Sequence, residues 1–248
     1  MPIRVTLGEG LMNIRNQMVC VWSGMTFAVL CLAGFLIADF IPPISPNLSA
    51  EEVAAIYQNN ALSMRMAVLL IMTSGGFICG FAAVIAVQMK RIEGEVGALT
   101  LAELGAGSIT GLVFVFAGVF WTAAAFRPDH SVEITRTLND LGWITMLMTF
   151  APFIVQNLSL GFCILGDNRE EPVFPRWVGY YNFWVAVLFV PGGLLTFFKT
   201  GPFAWDGLFV WWIPFMVFFS WYVSMFFIVR GVVKRQAVTE ASGTMATA

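Results

Sequence analysis

One histidine, His130, stands in the whole chain, between Asp129 and Ser131. A b-type haem is held by axial histidines, and a membrane di-iron centre needs several, so one imidazole builds neither. A Ser-His-Asp triad would have to recruit His130, and no residue near it supports one. It reads as a solvated loop residue. Walker, G-x-G-x-x-G, G-x-S-x-G and H-E-x-x-H patterns are all absent. Cys20, Cys31, Cys79 and Cys163 lack C-x-x-C spacing and read as small apolar residues. The expectation is therefore no catalytic residue, no cofactor and no metal, and a non-enzymatic protein over an enzyme without a recognisable motif.

The polar residues that remain favour binding over catalysis. Gln156-Asn157 lies inside an apolar stretch, just past Pro152. An unpaired amide in hydrocarbon costs several kcal/mol, roughly, so both need partners or a wet cavity. If the molecule holds a ligand, Gln156 and Asn157 are expected to line its cavity, with Asn182 and Trp184 as companions. Structural glue between helices is the alternative. Ionisable residues near the apolar segments are Asp39, Arg65, Glu103, Asp140 and Arg176. They fall at segment ends, where Glu103 and Asp140 would open the third and fourth helices against the positive end of the dipole. Asp39 and Arg65 would pair. A polar outer vestibule of Asp39, Arg65 and Asp140 is the functional version of the same placement.

The elements that must carry these residues follow from composition. Of 248 residues, 58% are apolar and only 11% charged, less than half the usual charge of a soluble domain. A net charge of −2 argues against nucleic acid as a partner. Roughly 20 apolar residues cross the hydrocarbon core as a helix. Six segments qualify, approximately Val19 to Phe40, Met66 to Met89, Leu101 to Phe126, Leu141 to Leu165, Trp177 to Phe198 and Gly207 to Val229. The expected fold class is all-α, a polytopic membrane helix bundle of six transmembrane helices. Nine Lys and Arg fall on the side of the termini and four on the other, so both termini are expected in the cytoplasm.

Leu7, Leu11, Ile14 and Met18 form one helical stripe, which suggests that residues 1–18 are a cytoplasmic interfacial segment before a domain at 19–235. Residues 236–248 are small and polar and read as a disordered cytoplasmic tail. In the first outer loop, Ser49-Ala50-Glu51-Glu52 is a capping box opening a short helix that seals, or lids, the bundle. Gly76-x-x-x-Gly80 and Gly107-x-x-x-Gly111 would bring the second and third spans close together. Pro152, Pro191 and Pro214 interrupt the last three spans, either as packing kinks or as a site at broken helices. Residues 71–78 echo residues 147–154, which leaves a duplicated hairpin open beside coincidence.

Three runs are similar to a group of uncharacterised bacterial membrane proteins: Pro42-Pro43-Ile44-Ser45-Pro46 leading into 49–57, Phe174 to Tyr180, and Lys199 to Trp205. The resemblance implies a bacterial inner-membrane location and carries over no activity, cofactor or site residue. For function, the residues suggest binding or moving a small lipophilic molecule in the lipid bilayer. The alternative is an accessory subunit with a membrane-protein partner or a second copy of itself.

Overall fold

The computed structural model describes residues 7–245 except Glu95, Pro128 and His130, with side chains from Asn13 to Ser242. The expectation for His130 therefore lies outside the described residues. Among the described residues eight α-helices follow one another: α1 Leu7–Ile37, α2 Ala50–Asn59, α3 Ala61–Glu93, α4 Ala98–Phe126, α5 Val132–Met148, α6 Ala151–Leu165, α7 Arg176–Phe189 and α8 Ile213–Met245. A 3₁₀ segment, Val190–Thr196, prolongs α7, and a π-turn, Leu208–Trp212, leads into α8. Among the described residues there is no strand. Among the described residues six stretches are long and apolar enough to cross a membrane: α1, α3, α4, α5 with α6, α7 with its 3₁₀ segment, and the π-turn with α8. The fold is an all-α membrane helix bundle.

The spans close a ring in which α1 packs on α3, α3 on α4, α4 on α6, α6 on α7, α7 on α8 and α8 back on α1. The core is aromatic: Trp121, Trp143, Trp221, Tyr222, Phe27, Phe35, Phe40 and Phe81 are all fully buried. Large apolar side chains also cover the outside, among them Leu36, Leu69, Phe116, Phe162, Trp184 and Phe227. A surface of that kind needs hydrocarbon rather than water around it.

Helix ends follow local chemistry. Ser49 accepts from the Glu52 amide at 3.2 Å while Glu52 accepts from the Ser49 amide at 2.7 Å, the reciprocal box that starts α2. Helix α2 seals the far side of the bundle: Val53 and Tyr57 are buried, and the Tyr57 hydroxyl donates to Asn139 Oδ1 at 3.1 Å. At the other face, α3 ends with Lys90 and Arg91 in its last turn and Gly94 at φ +81, a left-handed position suited to glycine.

Four expectations change. Helix α1 runs unbroken from Leu7, so among the described residues no separate interfacial helix precedes the first crossing. Helix α8 continues through the expected tail to Met245, its polar end tied in where Gln88 Nε2 donates to Gln236 Oε1 at 3.0 Å. The second and third spans do pack closely, as α3 and α4, but the two glycine pairs do not face each other. Gly75 and Gly111 meet instead, each placed where an added Cβ would lie 2.5–2.6 Å from the other's carbonyl oxygen, while Gly76 is open, Gly80 faces Ser23, and Gly107 faces Ala82 and Gln156. Finally, the echoed stretches differ in conformation: 71–78 is mid-helix and 147–154 contains the break between α5 and α6.

Candidate functional site

Proline breaks three neighbouring spans. A proline lacks the amide that would bond to the carbonyl four residues back, and its ring crowds that carbonyl. Pro152 therefore starts α6 rather than continuing α5, with Thr149 and Phe150 as the joint. Pro191 leaves the Val187 carbonyl to the Val190 amide, and the chain tightens to the 3₁₀ segment. Before Pro214 the chain widens, with the Trp212 amide reaching back five residues to the Gly207 carbonyl at 3.4 Å.

These three irregularities meet around one cavity. Thr149 and Phe150 come from the first break, Gly192 from the second, and Val210, Trp211 and Pro214 from the third. Phe35, Val113 and Phe114 form the opposite wall, and Phe153 and Phe218 lie in its base. The space open to the centre of a water-sized sphere is about 90 Å³, enough for several waters by size. Its chemistry disfavours them. The Thr110 hydroxyl donates to Ala106 O at 3.0 Å and the Thr149 hydroxyl to Thr145 O at 2.6 Å, so both are engaged with their own helices. Trp211 supplies the exception: it lines the cavity, and its buried indole N–H has no partner among the described residues. Residues 145–150, along one rim, are half-buried.

The residues expected to line a cavity lie one turn deeper or outside. Gln156 and Asn157 are buried at 1% and 0% exposure, but neither lines the space. Asn157 Nδ2 donates to its own Phe153 carbonyl at 2.8 Å. Asn182 Oδ1 accepts from Trp221 Nε1 at 2.9 Å, joining α7 to α8 as glue. Trp184 is 67% exposed on the outer surface of α7, on the lipid side rather than in a cavity. Phe153 connects the two regions: it lines the cavity and packs edge-on against Trp221 at 5.2 Å.

The outer vestibule residues do not come together. Asp39 is exposed, and Arg65 donates to the Ala125 and Phe126 carbonyls at 3.0 and 2.9 Å, closing the C-terminal end of α4. No Asp39–Arg65 ion pair exists among the described residues. Asp140 sits in the third turn of α5, half-buried, accepting from Asn139 Nδ2 at 3.1 Å. It does not open a helix: Ser131 caps α5, accepting from the Ile134 amide.

Glu103 is the larger correction. It is fully buried in the second turn of α4 and accepts from Gln156 Nε2 at 3.0 Å. The start of α4 is served instead by Glu93, which accepts from the Thr100 amide at 2.9 Å. Hydropathy located the helix start a few residues late, and the error turned a buried acid into an apparent cap.

No family model, no curated protein and no solved structure matches this chain. The site has to be read from its own chemistry.

Proposed function

We propose that this chain binds or moves a small lipophilic molecule, held in the cavity between the three interrupted spans. The observation that supports it is the convergence of all three breaks on one apolar space. Irregular backbone at membrane depth is tolerated where it is buried in protein or lines a cavity. Packing alone would leave the three kinks free to lie anywhere along their helices. Met146, Leu147, Thr149 and Phe150 line the cavity and are half-buried, and a molecule arriving from the lipid would enter past them. The unpaired Trp211 N–H suits a ligand with a hydrogen-bond acceptor, such as a carbonyl or ether oxygen.

The Lys and Arg bias and the resemblance support a bacterial inner membrane with cytoplasmic termini. The cavity then lies toward the outer leaflet, because Phe35, Gly192 and Val210 all sit near the far ends of their spans. An accessory-subunit role does not require the cavity at all, which separates the two readings.

Photolabelling in lipid nanodiscs tests the proposal with a diazirine-bearing long-chain alcohol and peptide mapping of the adducts. Adducts at Phe150, Phe153, Trp211 and Phe215 support it. Adducts confined to outward residues such as Phe116, Trp184 and Phe197 overturn it.

A further inference from the structure

Glu103 and Gln156 leave an informative remainder. Gln156 Nε2 donates to Glu103 Oε1 at 3.0 Å, and the other two polar atoms that could pair, Glu103 Oε2 and Gln156 Oε1, are buried with no partner among the described residues. For an ionised carboxylate both leftover atoms are acceptors. Two unsatisfied acceptors on one hydrogen-bonded pair of side chains inside a bundle are costly, since buried polar groups are nearly always hydrogen-bonded. A carboxylic acid changes the count, because its O–H is a donor. An acid and a primary amide have complementary edges, with one N–H to the acid carbonyl and one O–H to the amide carbonyl. The first of those bonds is present, and the atoms the second would join, Glu103 Oε2 and Gln156 Oε1, are the two left without a partner among the described residues.

We propose that Glu103 holds a proton on Oε2 and that its acid–amide pair with Gln156 is a proton-binding site inside the membrane. The only chemical change is proton uptake, carboxylate plus one proton from water giving the acid, with no other bond made or broken. The surroundings offer no substitute charge. No ion pair among the described residues involves Glu103, and Tyr222 on α8 and Cys163 on α6, two titratable groups that interact with it, are not cations. Gly107 makes the room: a Cβ there would lie 2.8 Å from Gln156 Nε2 and 2.7 Å from Ala82 Cβ.

The pair also lies next to the cavity. On α4, Thr110 and Phe114 share a face with Glu103 and line the space, and on α6 Phe153 does so one turn before Gln156. Loss of the proton would set two acceptors against each other and force the amide to turn, between two helices that both form cavity wall. The inference does not depend on ligand binding in the cavity.

Infrared difference spectroscopy of the full chain against E103Q, in phosphatidylcholine nanodiscs at neutral pH, tests it. The expected result is loss of a protonated-carboxyl C=O band that shifts on exchange into D2O. E103Q should also melt no lower than the parent, because a paired amide supplies both hydrogen bonds. A difference spectrum with carboxylate bands alone overturns the proposal, as does a carboxylate band that moves when sodium replaces choline. If E103Q does not accumulate, Q156L replaces it. The acid band must then rise toward the frequency of an unpaired acid, and an unmoved band or an absent one refutes the pair.

Discussion

Tyr57 ties the sealing helix to the bundle through one buried hydrogen bond to Asn139, which also accepts from Trp143 Nε1 at 3.2 Å. Burial, and then the nearby Asp140 carboxylate, push the phenol well above its ordinary range. The unfolded chain ionises near pH 10, roughly, whereas the folded chain keeps the proton. This contribution is therefore complete below about pH 10 and is lost as pH climbs beyond it. Tyr57→Phe should cost about 1 kcal/mol at neutral pH and should flatten the alkaline fall in melting temperature, measured by thermal denaturation in detergent. Asp167 works in the opposite direction. Burial raises its carboxyl, but two bonds from Arg169, at 2.8 and 2.9 Å, and the Val173 and Arg169 amides outweigh it and hold it below the usual range. Its stabilisation is present above about pH 4 and disappears as pH falls through the lower folded value. Asp167→Asn should lower stability by about 2 kcal/mol at neutral pH and remove that acid-side slope.

Among the elements, the closest approach is between α3 and α4, where Gly75 and Gly111 oppose each other's backbone. Gly111→Val should separate the helices and cost about 2 kcal/mol or more, while Gly76→Ala, open to its surroundings, should leave the melting temperature within error. Helix existence was legible in the chain because hydropathy and capping are local: the Ser49–Glu52 box and the stops at Lys90-Arg91 and Pro42 can be read in order. Which glycine faces which helix was not, since a one-residue shift turns a side chain by about 100°. The same limit applied to the site. Pro152, Pro191 and Pro214 were visible as breaks, but their convergence depends on how the ring of helices closes. Gln156 and Asn157 stood out as buried amides, yet the chain alone gave no sign that Glu103, more than fifty residues earlier, was Gln156's partner.

As a whole, the molecule turns its scarcity of charge outward and inward at once. Its outer surface is apolar because lipid surrounds it, and its interior is rich in aromatic side chains, with amides and the buried acid Glu103 joining neighbouring helices. Within that interior the space beside Trp211 is the feature that packing does not require. Val113→Phe should fill part of it, raising stability by about 1 kcal/mol and reducing diazirine labelling at Phe153 and Trp211. The most direct test is a crystal structure of the full chain grown from a lipidic phase. Non-protein density is expected between Phe150, Phe153, Trp211 and Phe215, with an acceptor atom near the Trp211 indole nitrogen. Aromatic side chains collapsed into that space, with no such density, would contradict it.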